Sequence, residues 1–169
     1  MVAAAGFGIL TQVNEAGLAV LIVGSIIYSL GISPVVILAT DLIVGSAPVE
    51  RAGAASAISE TSSELGGALG IAVLGSIGTA LYRGRMAAGI PAGVPPEAAE
   101  AARATLGGAV AVAERLPGHL GVELLNPAKL AFLEAFRLVA AICAALVLIL
   151  AVATVMRTRR VSNVEPAEV

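Results

Sequence analysis

Charged residues fall along this chain in clusters, and the intervals between clusters are its first signal. No Asp, Glu, Lys or Arg occurs between Glu15 and Asp41, between Glu64 and Arg83, or between Arg137 and Arg157. These uncharged runs are 25, 18 and 19 residues long. The hydrocarbon core of a bilayer, ~30 Å thick, takes about 20 apolar residues as helix. The runs therefore predict three transmembrane helices, over residues 16–45, 54–82 and 132–156. A further uncharged stretch, residues 2–14, gives only ~20 Å of helix at 1.5 Å per residue. Residues 1–15 accordingly read as the end of a membrane helix whose beginning is missing. A short loop at 46–53, a long segment at 83–131 and a polar tail at 157–169 complete the predicted organisation.

Local signals refine this outline. Gly31 and Pro34 predict a kink in the first full span, because proline removes a backbone donor and crowds the carbonyl four residues back. Ser29 and Ser33 are placed to compensate. Pro91, Pro95, Pro96, Pro117 and Pro127 punctuate the 83–131 segment. Between Pro96 and Leu116 it carries a helical pattern, with Pro96 at the start, Glu97 and Glu100 in the first turn, and Leu106, Val110 and Ala113 on one face. This segment is expected to pack as helix on the mouth of the bundle.

Composition sharpens the membrane assignment. Charged residues make up 13% of the chain, about half the share in an ordinary soluble domain. One cysteine and a net charge of −2 exclude a disulfide scaffold and a nucleic-acid binder. Nineteen glycines against five aromatic residues favour close helix–helix packing over an aromatic interfacial belt. Among the basic residues Lys129 is the single lysine, an arginine bias that, with the alanine load, suggests a GC-rich bacterial genome and a bacterial cell membrane. Arg157, Arg159 and Arg160 beside the last span put the C-terminus in the cytoplasm by the positive-inside rule. The 46–53 loop is then cytoplasmic and 83–131 extracellular; Arg83 and Arg85 argue weakly the other way.

Two carboxylates stand inside a span. Glu60 and Glu64 lie ~40° apart on one helix face. If the helix enters the bilayer near Ala54, they sit ~9 Å and ~15 Å deep. An ionised side chain at mid-bilayer costs roughly 2.5–3.5 kcal/mol on insertion scales, so such residues face protein or a watery cavity. Ser56, Ser63 and Gly67 extend their stripe, and Ile58, Leu65, Leu69 and Ala72 form the opposite side. Burial disfavours a charged carboxylate, and like charges one turn apart disfavour double ionisation. Such a pair holds a proton or a cation but not easily both. The competing reading has both carboxylates capped by Ser, Thr or a basic partner on an absent helix. Asp41 and Arg51 are candidates for a structural pairing or a gate at the loop. Glu134 and Arg137 read as interfacial anchors, His119 as a surface residue, Cys143 as a small core residue. Gly66, Gly67 and Gly70 form a small-residue groove for helix packing. No H-E-x-x-H, P-loop or C-x-x-C motif occurs, so neither an enzyme nor a cofactor or metal site is expected.

The stretch Ala39-Thr40-Asp41-Leu42-Ile43-Val44-Gly45-Ser46-Ala47-Pro48-Val49-Glu50-Arg51-Ala52-Gly53, continuing as AASAISETSSELGGALGIAVLGS to Ser76, resembles the major facilitator superfamily. More narrowly it is similar to the fourteen-helix drug:proton antiporter branch, over that family's C-terminal portion. The three spans resemble helices twelve, thirteen and fourteen, and the N-terminal piece the end of helix eleven. The 83–131 segment resembles the large external loop before the final helix. The resemblance implies an all-α membrane bundle and export of lipophilic or cationic compounds driven by protons. It implies a carboxylate role for Glu60 and Glu64. The implied partners are the lipid bilayer, the remaining transporter helices, a small substrate and protons. The alternative is a truncated, non-transporting remnant or an accessory membrane subunit of a split transporter.

Overall fold

The computed structural model describes residues 1–14 and 17–162, with side chains to Arg157. All elements among these residues are helices: α1 (Val2–Leu10), α2 (Leu18–Gly45), a single 3₁₀ turn (Val49–Arg51), α3 (Ala52–Gly89), α4 (Pro96–Ala104), α5 (Leu106–Ala113) and α6 (Gly118–Ser162). Three of them are long and apolar enough to cross a membrane: α2, the stretch Val49–Gly89 containing α3, and α6 over Gly118–Arg157. The chain is a multi-pass, all-α membrane protein. The expected polar tail from residue 163, and the side chains of Arg159 and Arg160, lie outside the described residues.

At 1.5 Å per residue, α3 is ~57 Å long and α6 ~68 Å, both well beyond a bilayer core. They pack on each other and project together from one side. There α4, α5 and the first turns of α6 build a cap around the end of α3. Its core is Tyr82, Met86, Ala102, Ala109, Leu124, Ala128, Ala131 and Ala135. Alanine dominates because the helices approach too closely for anything larger. A Cβ on Gly108 would strike the carbonyl of Ala101, and one on Gly121 would lie 2.6 Å from the carbonyl oxygen of Ala113.

The helical pattern over 96–116 divides into two short helices. Pro96 does open α4, but Thr105 adopts an extended conformation (φ −153°, ψ 158°) and starts a second helix. Its hydroxyl accepts from the Gly108 amide at 3.0 Å, satisfying one of the donors that a helix start leaves unpaired. Pro127, expected as punctuation, lies inside α6. A Cβ on Gly89 would sit 3.0 Å from the Pro127 Cβ, so the end of α3 packs closely against this proline.

At the other edge, α1 folds back on α2. Gly6 and Gly31 have no room for a side chain, since a Cβ on either would collide with the backbone of Tyr28 or Ala3 respectively. Phe7 and Tyr28 pack beside them with tilted rings, centroids 4.6 Å apart. Gly31 thus makes a close helix–helix approach. The helix continues through Pro34; Ser33 donates to the Ser29 carbonyl at 2.8 Å, not to the Leu30 carbonyl that Pro34 leaves without its donor.

Candidate functional site

The features that matter converge on α3. Its helix is continuous from Ala52 to Gly89, so side-chain azimuth can be followed along it. Gly78 lies eighteen residues after Glu60, and Tyr82 eighteen after Glu64, about five whole turns in each case. The two carboxylates therefore share a stripe with the residues that pack α3 against α6. At Gly78 a Cβ would be 3.5 Å from the Val139 side chain, and Tyr82 is 4% exposed in the cap core.

Towards the Glu pair that packing stops. A Cβ placed on Gly66, Gly67, Gly70 or Gly75 would meet nothing of this chain within 4 Å. Glu60 and Glu64 are exposed within the chain. Ion pairs among the described residues are Arg85–Glu134 and Arg103–Glu100, so neither glutamate reaches a basic partner here. The Thr61 hydroxyl beside them donates to the Ala57 carbonyl at 2.8 Å. A helix face with two carboxylates, small residues and no neighbour within this chain is thus bounded at one end by the α3–α6 contact.

Where the contact begins, α3, α6 and the α4–α5 junction enclose an apolar cavity of about 310 Å³. Gly75, Gly78, Tyr82, Leu106, Phe132 and Phe136 contribute to its wall. The polar tips near it are turned to structure: the Tyr82 hydroxyl donates to the Ala102 carbonyl at 2.9 Å, and the Thr105 oxygen caps α5.

The other candidates are placed differently. Asp41 and Arg51 are exposed near the 46–53 loop and form no ion pair with each other. Glu134 and Arg137, read as anchors, both have protein partners. Glu134 accepts from Arg85 Nε at 2.8 Å, and Arg137 Nε donates to the Val13 carbonyl at 2.6 Å, tying the α1–α2 turn to α6. The Tyr82, Arg85 and Arg137 contacts escaped sequence reasoning, because each joins residues far apart in the chain.

Helical architecture defines the class: a multi-pass, α-helical membrane protein. The chain is 41% identical over 142 residues to the multidrug efflux pump LfrA of Mycolicibacterium smegmatis, covering 84% of this chain and 28% of that protein. It is 31% identical over 172 aligned positions to the tetracenomycin C resistance and export protein of Streptomyces glaucescens, covering 99% of this chain and 32% of the relative. It is 33% identical over 113 residues to the methyl viologen resistance protein SmvA of Salmonella typhimurium, covering 67% and 22%. No protein-family model and no solved structure matches the chain. Its homologues are drug efflux pumps of the major facilitator type, and the match is consistent with the C-terminal portion of a drug:proton antiporter of that superfamily. The chain spans about a third or less of the length of these relatives.

Proposed function

We propose that this chain forms the C-terminal part of a proton-coupled efflux transporter in the bacterial cell membrane, exporting lipophilic or cationic compounds. Glu60 and Glu64 are its proton-coupling residues and line the substrate path. The observation that carries the reading is the stripe on α3. It packs against α6 at Gly78 and enters the cap core at Tyr82, then is unpartnered along the half that holds both carboxylates and Gly66, Gly67 and Gly70. Transporter sites form near the bilayer midplane between packed helical repeats. The remaining transporter helices would close that face, using the glycines for close approach and leaving the carboxylates on the path. In this arrangement the 46–53 loop and the C-terminus are cytoplasmic and the α4–α5 cap is extracellular. Asp41 and Arg51 then lie at the cytoplasmic end of α2 and α3, where helices meet during alternating access.

The experiment is Glu64→Gln in the full-length transporter, read in everted membrane vesicles as proton movement on adding a cationic compound such as methyl viologen. Compound-dependent proton movement should vanish, while the protein still reaches the membrane at its usual level. Unchanged coupling in that variant and in Glu60→Gln would overturn the assignment.

A further inference from the structure

Where α3 and α6 leave the membrane-long stretch side by side, their charges gather on one flank of the pair. Leu81 and Arg85 of α3, with Glu134, Arg137 and Leu138 of α6, line a cavity of about 280 Å³. Arg85 Nε donates to the Glu134 carboxylate at 2.8 Å, with both side chains half-exposed or more. Arg137 Nε donates to the Val13 carbonyl at 2.6 Å, which fixes its guanidinium beside the α1–α2 turn. These contacts engage one nitrogen of each guanidinium. Five N–H groups per fork leave donors for a further acceptor.

Sequence position gives the depth of this cluster. Arg137 is the last charged residue before a 19-residue uncharged run, and Arg83 and Arg85 are the first after an 18-residue one. Both guanidiniums of the cavity therefore stand where the helices pass from hydrocarbon into the headgroup layer. Arg83 lines a separate groove with Ile71, Ser76 and Thr79 and does not contribute. Among the described residues that line it, two cations against one carboxylate leave a net positive charge, above an apolar floor of Leu81 and Leu138. Guanidinium forks match phosphate oxygens two at a time.

The geometry points to a binding site for the phosphodiester of an anionic phospholipid. The headgroup phosphate sits between Arg85 and Arg137, and the first acyl methylenes run over Leu81 and Leu138. Glu134 limits the affinity and holds Arg85 in place. The site requires that α3 and α6 cross the bilayer and is independent of any role of Glu60 and Glu64.

Native mass spectrometry of the intact protein in detergent tests it, with phosphatidylglycerol and phosphatidylcholine of identical acyl chains and inorganic phosphate as competitor. Phosphatidylglycerol should be preferred, and Arg85→Gln should weaken it about five-fold, the effect of one basic residue near an anionic surface. Glu134→Gln should tighten it, a direction that mere loss of the ion pair would not produce. Millimolar inorganic phosphate should leave the lipid bound. Equal retention of the two lipids, no effect of Arg85→Gln, or weakening by Glu134→Gln would each overturn the site. Displacement by inorganic phosphate would overturn the lipid as its ligand.

Discussion

The Tyr82 hydroxyl donates to the Ala102 carbonyl across the core of the cap, at 2.9 Å, and this bond joins the end of α3 to α4. Tyr82 is 4% and Ala102 0% exposed, so water cannot replace the lost donor. Leaving such a buried acceptor unpaired costs about 1–3 kcal/mol. Tyr82→Phe, which keeps the ring, should open the cap more often. Trypsin cleavage after Arg103 should accelerate five-fold or more, since proteolysis follows the population of the opened state. Helical circular dichroism should stay unchanged.

Gly31 and Gly6 set the distance between α1 and α2. A side chain at either would meet backbone, which cannot swing aside, and overpacking typically costs about 1–3 kcal/mol even where side chains can adjust. Gly31→Val should therefore lift α1 from α2, whereas Gly8→Ala should be silent, because nothing lies within 4 Å of a Cβ there. With Cys143 replaced by Ala and a cysteine introduced at Leu10, itself 7% exposed, N-ethylmaleimide labelling should rise in the first variant only.

Uncharged runs reported the number of membrane-long helices because bilayer thickness fixes a length that composition must respect. The extent of α3 and α6 beyond the membrane was hidden, since the cap is held by alanines, and alanine carries little periodic signal. Pro127 misled because it lies inside α6, packed closely against Gly89 of α3, thirty-eight positions away. Thr105 could have been read as a helix cap before Leu106, as residues of its type are preferred there. Glu60 and Glu64 stood out because the other charges within the spans, Asp41, Glu134 and Arg137, lie near span ends. Their common azimuth with Gly78 and Tyr82 needed the continuity of α3, which Gly66, Gly67 and Gly70 made uncertain from propensity alone.

The break between α4 and α5 rests on Thr105. Its oxygen accepts from the Gly108 amide at 3.0 Å, and removal of an N-cap hydroxyl costs about 0.5–2 kcal/mol. Thr105→Ala should increase tryptic cleavage after Arg103 and Arg115, and Thr105→Ser should restore the parent rate. The two variants separate loss of the cap from loss of the methyl group, which borders the apolar cavity.

Glu64 lies in the membrane-long part of α3, and its presence there should be measurable as an insertion cost. Charged residues near a helix centre disfavour insertion by roughly 2.5–3.5 kcal/mol on insertion scales, while leucine favours it by about 0.3–0.6 kcal/mol. Glu64→Leu should shift translocon-mediated insertion of an α3 segment strongly towards the spanning form, read by glycosylation tags on either side. Glu50→Leu, at the 3₁₀ turn before α3, should shift it far less. If both substitutions act equally, Glu64 is not at bilayer depth, and the carboxylate pair loses the burial on which its proton-coupling role depends.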